Sequence, residues 1–307
     1  MLILLIILVS LLVLVKSAEV FVDQASALAK KFKVDDFLIG FTVVAFGTSL
    51  PELISSLFSA ISGHDQLVIS NIIGSNIANL CLIVGILAIF NSFKIWKKDI
   101  DANIPINIIA LVVLWTLVIS QKFVLNWVSG ILLISLFLIL IIHSKNNNHF
   151  KIIKQISPPF NLGILLLALI FLIFSGKICV DQIIILAKTF NISESILGYF
   201  LLAAGTSLPE LVTTWVAIKK REDELALGNI LGSNLFNLLF IFGISTFVRP
   251  LKFEGFGYDL IFLTGTMLAV YIFAVTGKKY SFSKKEGLSL LFIYFLFMLL
   301  QFLKLKL

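Results

Sequence analysis

Charge is what this chain has least of: Asp, Glu, Lys and Arg make up 13% of its 307 residues, against 59% hydrophobic residues and a mean hydropathy of +1.08. That is too little polar side chain to coat a soluble domain of this length, so a water-soluble enzyme is excluded, and nothing suggests nucleic-acid binding despite a net charge of +7. Cysteine is nearly absent. Cys81 and Cys179 both lie in apolar windows, where each reads as a small core filler and a disulfide scaffold is excluded. The three histidines are not clustered with cysteine, which removes zinc-type and copper-type sites.

What remains is a series of apolar windows of membrane-span length. Ten are expected to be helices: 2–28, 36–60, 66–90, 102–120, 123–143, 159–186, 195–218, 225–248, 257–276 and 286–304. The first looks like a signal sequence, but no Lys or Arg precedes it and no small-residue cleavage site follows, so it is expected to stay in the mature protein. A polar stretch, 144–158, with KNNNH and a Pro pair, joins two halves, 1–143 and 159–307.

The halves are copies. Adding 158 to a residue number maps Val22–Gly85 onto Val180–Gly243 without a gap, with 27 identities in 64 positions. The shared blocks are polar and in register: VDQ, GTSLPEL at Gly47–Leu53 and Gly205–Leu211, and GSNxxN at Gly74–Asn79 and Gly232–Asn237. Chance likeness between two greasy helices does not produce such runs. Five spans per copy is an odd number, so the second copy enters the membrane from the opposite side, as an inverted repeat. Loops after the odd-numbered spans carry 16 Lys and Arg and the opposite loops six, which places the odd loops in the cytoplasm and both termini outside. Lys16 and Lys177 fall within spans, and with Asp23 and Asp181 they read as interfacial charges.

Glu52 and Glu210 are the acids nearest the middle of any span, where an unpartnered carboxylate costs about 3 kcal/mol or more. Each follows a proline. Pro51 removes the amide that would bond the Gly47 carbonyl, and Pro209 does the same to Gly205, so both helices are expected to break there. Freed carbonyls around Ala45–Thr48 and Ala203–Thr206, the hydroxyls of Thr48, Ser49, Thr206 and Ser207, and the two carboxylates then form an all-oxygen cluster suited to hard cations. In the next helix of each half, Asn71, Ser75 and Asn79, and likewise Asn229, Ser233 and Asn237, recur every four residues on one face. Their oxygens can complete a coordination shell. Asn71, Asn229, Asn76 and Asn234 fit interhelical hydrogen bonding equally well.

GTSLPEL twice with GSNxxN twice resembles the α-repeats of the calcium/cation antiporter superfamily, most closely the prokaryotic sodium/calcium exchanger branch. The similarity covers essentially the whole chain. It implies an all-α membrane protein of ten helices in two inverted five-helix repeats, with broken second and seventh helices, acting as a monomer in a prokaryotic plasma membrane. The implied function is not enzymatic and needs no cofactor: antiport of Ca²⁺ against Na⁺. By resemblance, Glu52 and Glu210 with the backbone oxygens of Thr48 and Thr206 hold Ca²⁺. Ser49, Ser75, Ser207 and Ser233, with carbonyls of Ala45 and Ala203, form Na⁺ sites, and Asn79 and Asn237 face the central site. Some members of the family, potassium-dependent exchangers included, carry Asp at the place of Asn237, which weakens a potassium-coupled reading. Phe200 and Ala204 stand opposite Thr42 and Phe46, so the two passages are expected to be lined differently. A H⁺/Ca²⁺ antiporter using the same glutamates and a cation channel are the alternatives.

Overall fold

A computed structural model describes residues 2–31, 45–95, 97, 99–147, 159–219, 223–276 and 280–303. The start of the second expected span and most of the 144–158 linker lie outside them. Eight helices are long and apolar enough to cross a membrane: Leu2–Phe21, Asp65–Phe90, Asp99–Ser120, Leu162–Phe190, Glu194–Lys219, Ala226–Val248, Gly257–Thr276 and Lys284–Leu303. Two shorter apolar helices, Leu50–Ile61 and Trp127–Ile142, fall in the second and fifth expected spans. The chain is an all-helical, multi-pass integral membrane protein.

Burial ranks these helices. Asp65–Phe90 and Ala226–Val248 are 83% and 78% buried in their most apolar windows, against 28% for Lys284–Leu303, so these two form the centre and the others surround them. The outer helices present apolar stripes: Leu5, Leu8 and Leu12 on helix α1 (Leu2–Lys31) are exposed, as are Phe292, Phe295 and Leu299 on the last helix. Both central helices loosen into a π-helical turn, at Ala78–Ile83 and Phe236–Ile241, positions again 158 apart. Such turns cluster at functional sites, and nothing in the residue pattern announced them.

Each central helix is gripped by a helix of the opposite half. A Cβ on Gly85 would stand 3.0 Å from the Gly287 carbonyl, and one on Gly243 would stand 3.2 Å from the Gly130 carbonyl. Any larger residue would push the facing helix away by a few tenths of an ångström. Short antiparallel pairs add to the interlock: Phe93–Lys94 with Ser281–Phe282, and Val124–Leu125 with Leu251–Lys252. Asp99–Ser120 separates the first members of these pairs by 22 residues, about 33 Å of helix, so the two pairs sit at opposite ends of the bundle. Asp65 and Asp223 strengthen them: Lys252 N–H donates to Asp65 (3.4 Å) and Lys94 N–H to Asp223 (2.9 Å).

Helix α1 and helix α2 (Leu162–Phe190) stand apart from the main core. Ile7, Leu11, Leu14 and Ala18 pack with Cys179, Val180 and Ile183 in a second hydrophobic cluster, which also takes in Leu67, Leu197 and Leu202. On their outer surfaces Lys16 pairs with Glu19 (2.7 Å), not with Asp23, and Lys177 pairs with Asp181 (3.0 Å), so these four charges neutralise one another locally. Both cysteines are free and buried.

Candidate functional site

The expected helix breaks are present. Helix Ala45–Thr48 stops at Ser49 (φ −91°, ψ 10°), and a new helix, Leu50–Ile61, begins with Pro51 in its first turn, where a missing amide N–H leaves no bond unmade. Its counterpart stops at Ser207 (φ −81°, ψ 7°) and resumes at Leu208–Lys219. Glu52 and Glu210 therefore occupy the first turns of new helices, where the positive end of the helix dipole stabilises a carboxylate. Both side chains are fully buried.

The two motifs interlock. Ser49 Oγ donates to Glu210 Oε1 at 2.9 Å, and Ser207 Oγ donates to Glu52 Oε1 at 3.2 Å, so each half supplies a hydroxyl to the carboxylate of the other. Thr48 Oγ1 lies 3.5 Å from Asn229 Oδ1 and Thr206 Oγ1 lies 3.5 Å from Asn71 Oδ1, the same exchange made one residue earlier. Thr48 also approaches Ser233 Oγ at 3.4 Å. Asn71 and Asn229 are scaffold as much as lining: Asn71 Nδ2 donates to Ser56 Oγ (2.9 Å), Ser55 Oγ (3.2 Å) and the Glu52 carbonyl (3.3 Å), and Asn229 Nδ2 donates to Thr214 Oγ1 (3.2 Å). Ser56 and Thr214 were not singled out in the sequence. They are 158 apart and both carry hydroxyls, a signal that counting identities overlooks.

Of the expected site residues, Thr48, Ser49, Glu52, Ser75, Asn79, Ala203, Thr206, Ser207, Glu210, Ser233 and Asn237 are all buried. The Ala203 carbonyl accepts the Ser207 N–H at 3.1 Å and lies 3.4 Å from Thr206 Oγ1, so it is already engaged within its own helix. Ala45 begins the helix that ends at Thr48, and its side chain, with those of Thr42 and Phe46, lies outside the described residues. Several buried oxygens have no hydrogen-bond partner among the described residues: Glu52 Oε2, Glu210 Oε2, Ser75 Oγ, Asn76 Oδ1, Asn79 Oδ1 and Asn237 Oδ1. Buried acceptors left unmatched cost about 1–3 kcal/mol each, more for carboxylates, and oxygens of this kind are the donors that hard cations take. Among the described residues no group of three or more His, Cys, Asp or Glu is placed to hold a metal ion.

The model of the family described as sodium/calcium exchanger protein matches residues 2–145 and again 160–303, two matches offset by the same 158. The chain belongs to this exchanger family. It is similar to the sodium/calcium exchanger MaX1 of Methanosarcina acetivorans, 31% identical over 97% of this chain and 98% of that one. It is also similar to the inner membrane protein YrbG of Escherichia coli, 32% identical over 82% of this chain and 81% of the other. Among solved structures, the sodium-calcium exchanger NCX_Mj soaked with 2.5 mM Na⁺ and 0.1 mM Ca²⁺ superimposes with a TM-score of 0.66 at 29% identity, over 96% of this chain and 97% of that one. As a member of the exchanger family, the chain is a cation antiporter whose candidate site is the interlocked pair of GTSLPEL motifs.

Proposed function

We propose that this chain exchanges Ca²⁺ for Na⁺ by alternating access, with Glu52 and Glu210 as the shared, competitively occupied ligands. The observation that carries it is reciprocal: each glutamate takes a serine hydroxyl from the other half and keeps its second oxygen without a partner among the described residues. Two carboxylates supply a charge of about −2, which one Ca²⁺ balances outright and two or three Na⁺ balance or slightly exceed. Both kinds of ion together are therefore electrostatically disfavoured, and exclusive occupancy is the basis of antiport.

In this reading the backbone oxygens of Thr48 and Thr206 join the glutamates around Ca²⁺. Ser49, Ser75, Ser207 and Ser233, with the carbonyls of Ala45 and Ala203, serve Na⁺, and Asn79 and Asn237 line the centre. A serine that donates its proton to a carboxylate still has lone pairs for a cation, so the observed bonds are compatible with Na⁺ ligation. The architecture we infer is ten helices in two inverted halves, 1–143 and 159–307, joined by a cytoplasmic linker, 144–158, with both termini outside the plasma membrane. Eight spans plus two shorter apolar helices support the count, and the strand pairings support inversion: Phe93–Lys94 and Leu251–Lys252 are repeat equivalents at opposite ends of the bundle. The separate α1–α2 cluster supports a pair of helices that moves past the rest around a fixed site.

Radioactive Ca²⁺ uptake into liposomes holding the purified chain, under separate Na⁺, K⁺ and H⁺ gradients, tests the reading. Uptake driven by the Na⁺ gradient alone is expected. Uptake driven only by a pH gradient would make the glutamates proton carriers instead, and Ca²⁺ flux without any counter-ion would indicate a channel.

A further inference from the structure

Four asparagines follow the paired glycines of the central helices: Asn76 and Asn79 in one half, Asn234 and Asn237 in the other, all fully buried. Repeat equivalence pairs Asn79 with Asn237 and Asn76 with Asn234. If the halves were alike, Asn79 would donate to Asn234 and Asn237 to Asn76. One of these bonds is made. Asn79 Nδ2 donates to Asn234 Oδ1 at 3.0 Å, whereas Asn76 Nδ2 turns back to the Ile72 carbonyl of its own helix at 2.6 Å. Neither side-chain polar atom of Asn237 has a partner among the described residues.

The asymmetry matters because the two ends of an amide do opposite things to a cation. The oxygen binds it and the NH₂ repels it, and a free amide interconverts the two by rotation about its last bond. Asn234 anchors the NH₂ end of Asn79, and the Asn79 oxygen is left as a buried acceptor with no partner among the described residues. We propose that Asn234 is a positioning residue: it holds the Asn79 amide oxygen-free for the cation, so the first-half amide ligand is preorganised and its second-half counterpart, Asn237, is not. This rests on the reading of Asn79 as a cation ligand given above. Asn234 Nδ2 itself has no partner among the described residues, so its contribution is as an acceptor. Immobilising a side chain before binding rather than during it changes affinity by about three- to tenfold, without touching the translocation step.

The test uses the full chain in liposomes, with KM and Vmax of Ca²⁺ uptake measured for N79A, N234A, N234D and N79A/N234A. N234A is expected to raise KM about three- to tenfold with Vmax within about twofold. N234D keeps the acceptor and loses no bond, so its KM is expected at or below that of the unchanged chain. In the N79A background, N234A is expected to add nothing, because Asn234 acts through Asn79. An unchanged KM in N234A, an N234D that is as impaired as N234A, or full additivity in the double variant would each overturn the proposal. N79A with an unaltered KM would instead overturn Asn79 as a ligand, a different failure that the remaining variants cannot mimic.

Discussion

The two halves repeat each other's bonds with a fidelity that goes beyond their identities. Ser49 with Glu210 mirrors Ser207 with Glu52, Thr48 with Asn229 mirrors Thr206 with Asn71, and Lys94 N–H on Asp223 mirrors Lys252 N–H on Asp65. Every one of these bonds crosses between halves. Neither copy therefore completes its own site: a GTSLPEL segment alone leaves its carboxylate without the serine it needs. Where the halves differ, they differ around this shared frame. Among the described residues Asn79 has a bond that Asn237 lacks, Asp65 adds an arginine, Arg249 at 2.8 Å, to the backbone amide that both aspartates face, and Gly228 occupies the place that Ser70 fills in the first half.

Substitutions can break that equivalence. The largest effect is expected from Glu52→Gln and Glu210→Gln, each lowering gradient-driven Ca²⁺ flux by about 100-fold or more while the protein still elutes as a folded species. Equal losses would mean that both halves contribute to one site, and retained exchange in both variants would sink the glutamate assignment. Next come S49A and S207A. Each removes a charge-assisted hydrogen bond and a candidate Na⁺ ligand, and should raise the Na⁺ concentration for half-maximal exchange about three- to tenfold. Ser49, with the shorter bond, should show the larger shift, and Na⁺ titration of uptake will rank the pair.

Smaller effects probe the frame rather than the site. D65N should lower the unfolding midpoint in detergent more than D223N, by the equivalent of about 0.5–1 kcal/mol, because among the described residues Asp65 also holds an arginine and Asp223 does not. The reverse order would show that the strand contact dominates. The smallest effect is expected at Gly228, where an added Cβ meets nothing within 4 Å. G228A should be neutral or slightly stabilising, by up to about 1 kcal/mol, since alanine is the better helix former. By contrast, a Cβ at Gly198 runs into Ser70, so G198A should cost about 1–3 kcal/mol by thermal unfolding.

Much of this was legible in the residues alone. Long apolar runs announce spans because lipid leaves a helix few alternatives, and the helix breaks before Glu52 and Glu210 follow from a proline that lacks an amide proton. The burial of both glutamates follows from where their windows lie. Local sequence was blind to Ser56 and Thr214, whose importance comes from the amides that donate to them, and to the π-helical turns at Ala78–Ile83 and Phe236–Ile241. The short strands were also missed, because two-residue pairings carry no periodicity to detect.

By itself, then, the sequence determined that this is a duplicated, multi-pass membrane chain with a polar, oxygen-rich motif in each copy, because composition and a register of 158 residues are properties of the string. Which serine meets which glutamate, and that Asn79 rather than Asn237 is tethered, only the tertiary structure decided. An offset says which residues are equivalent. Contact depends on how two equivalent surfaces pack against one another, and close packing can leave two like positions with unlike neighbours.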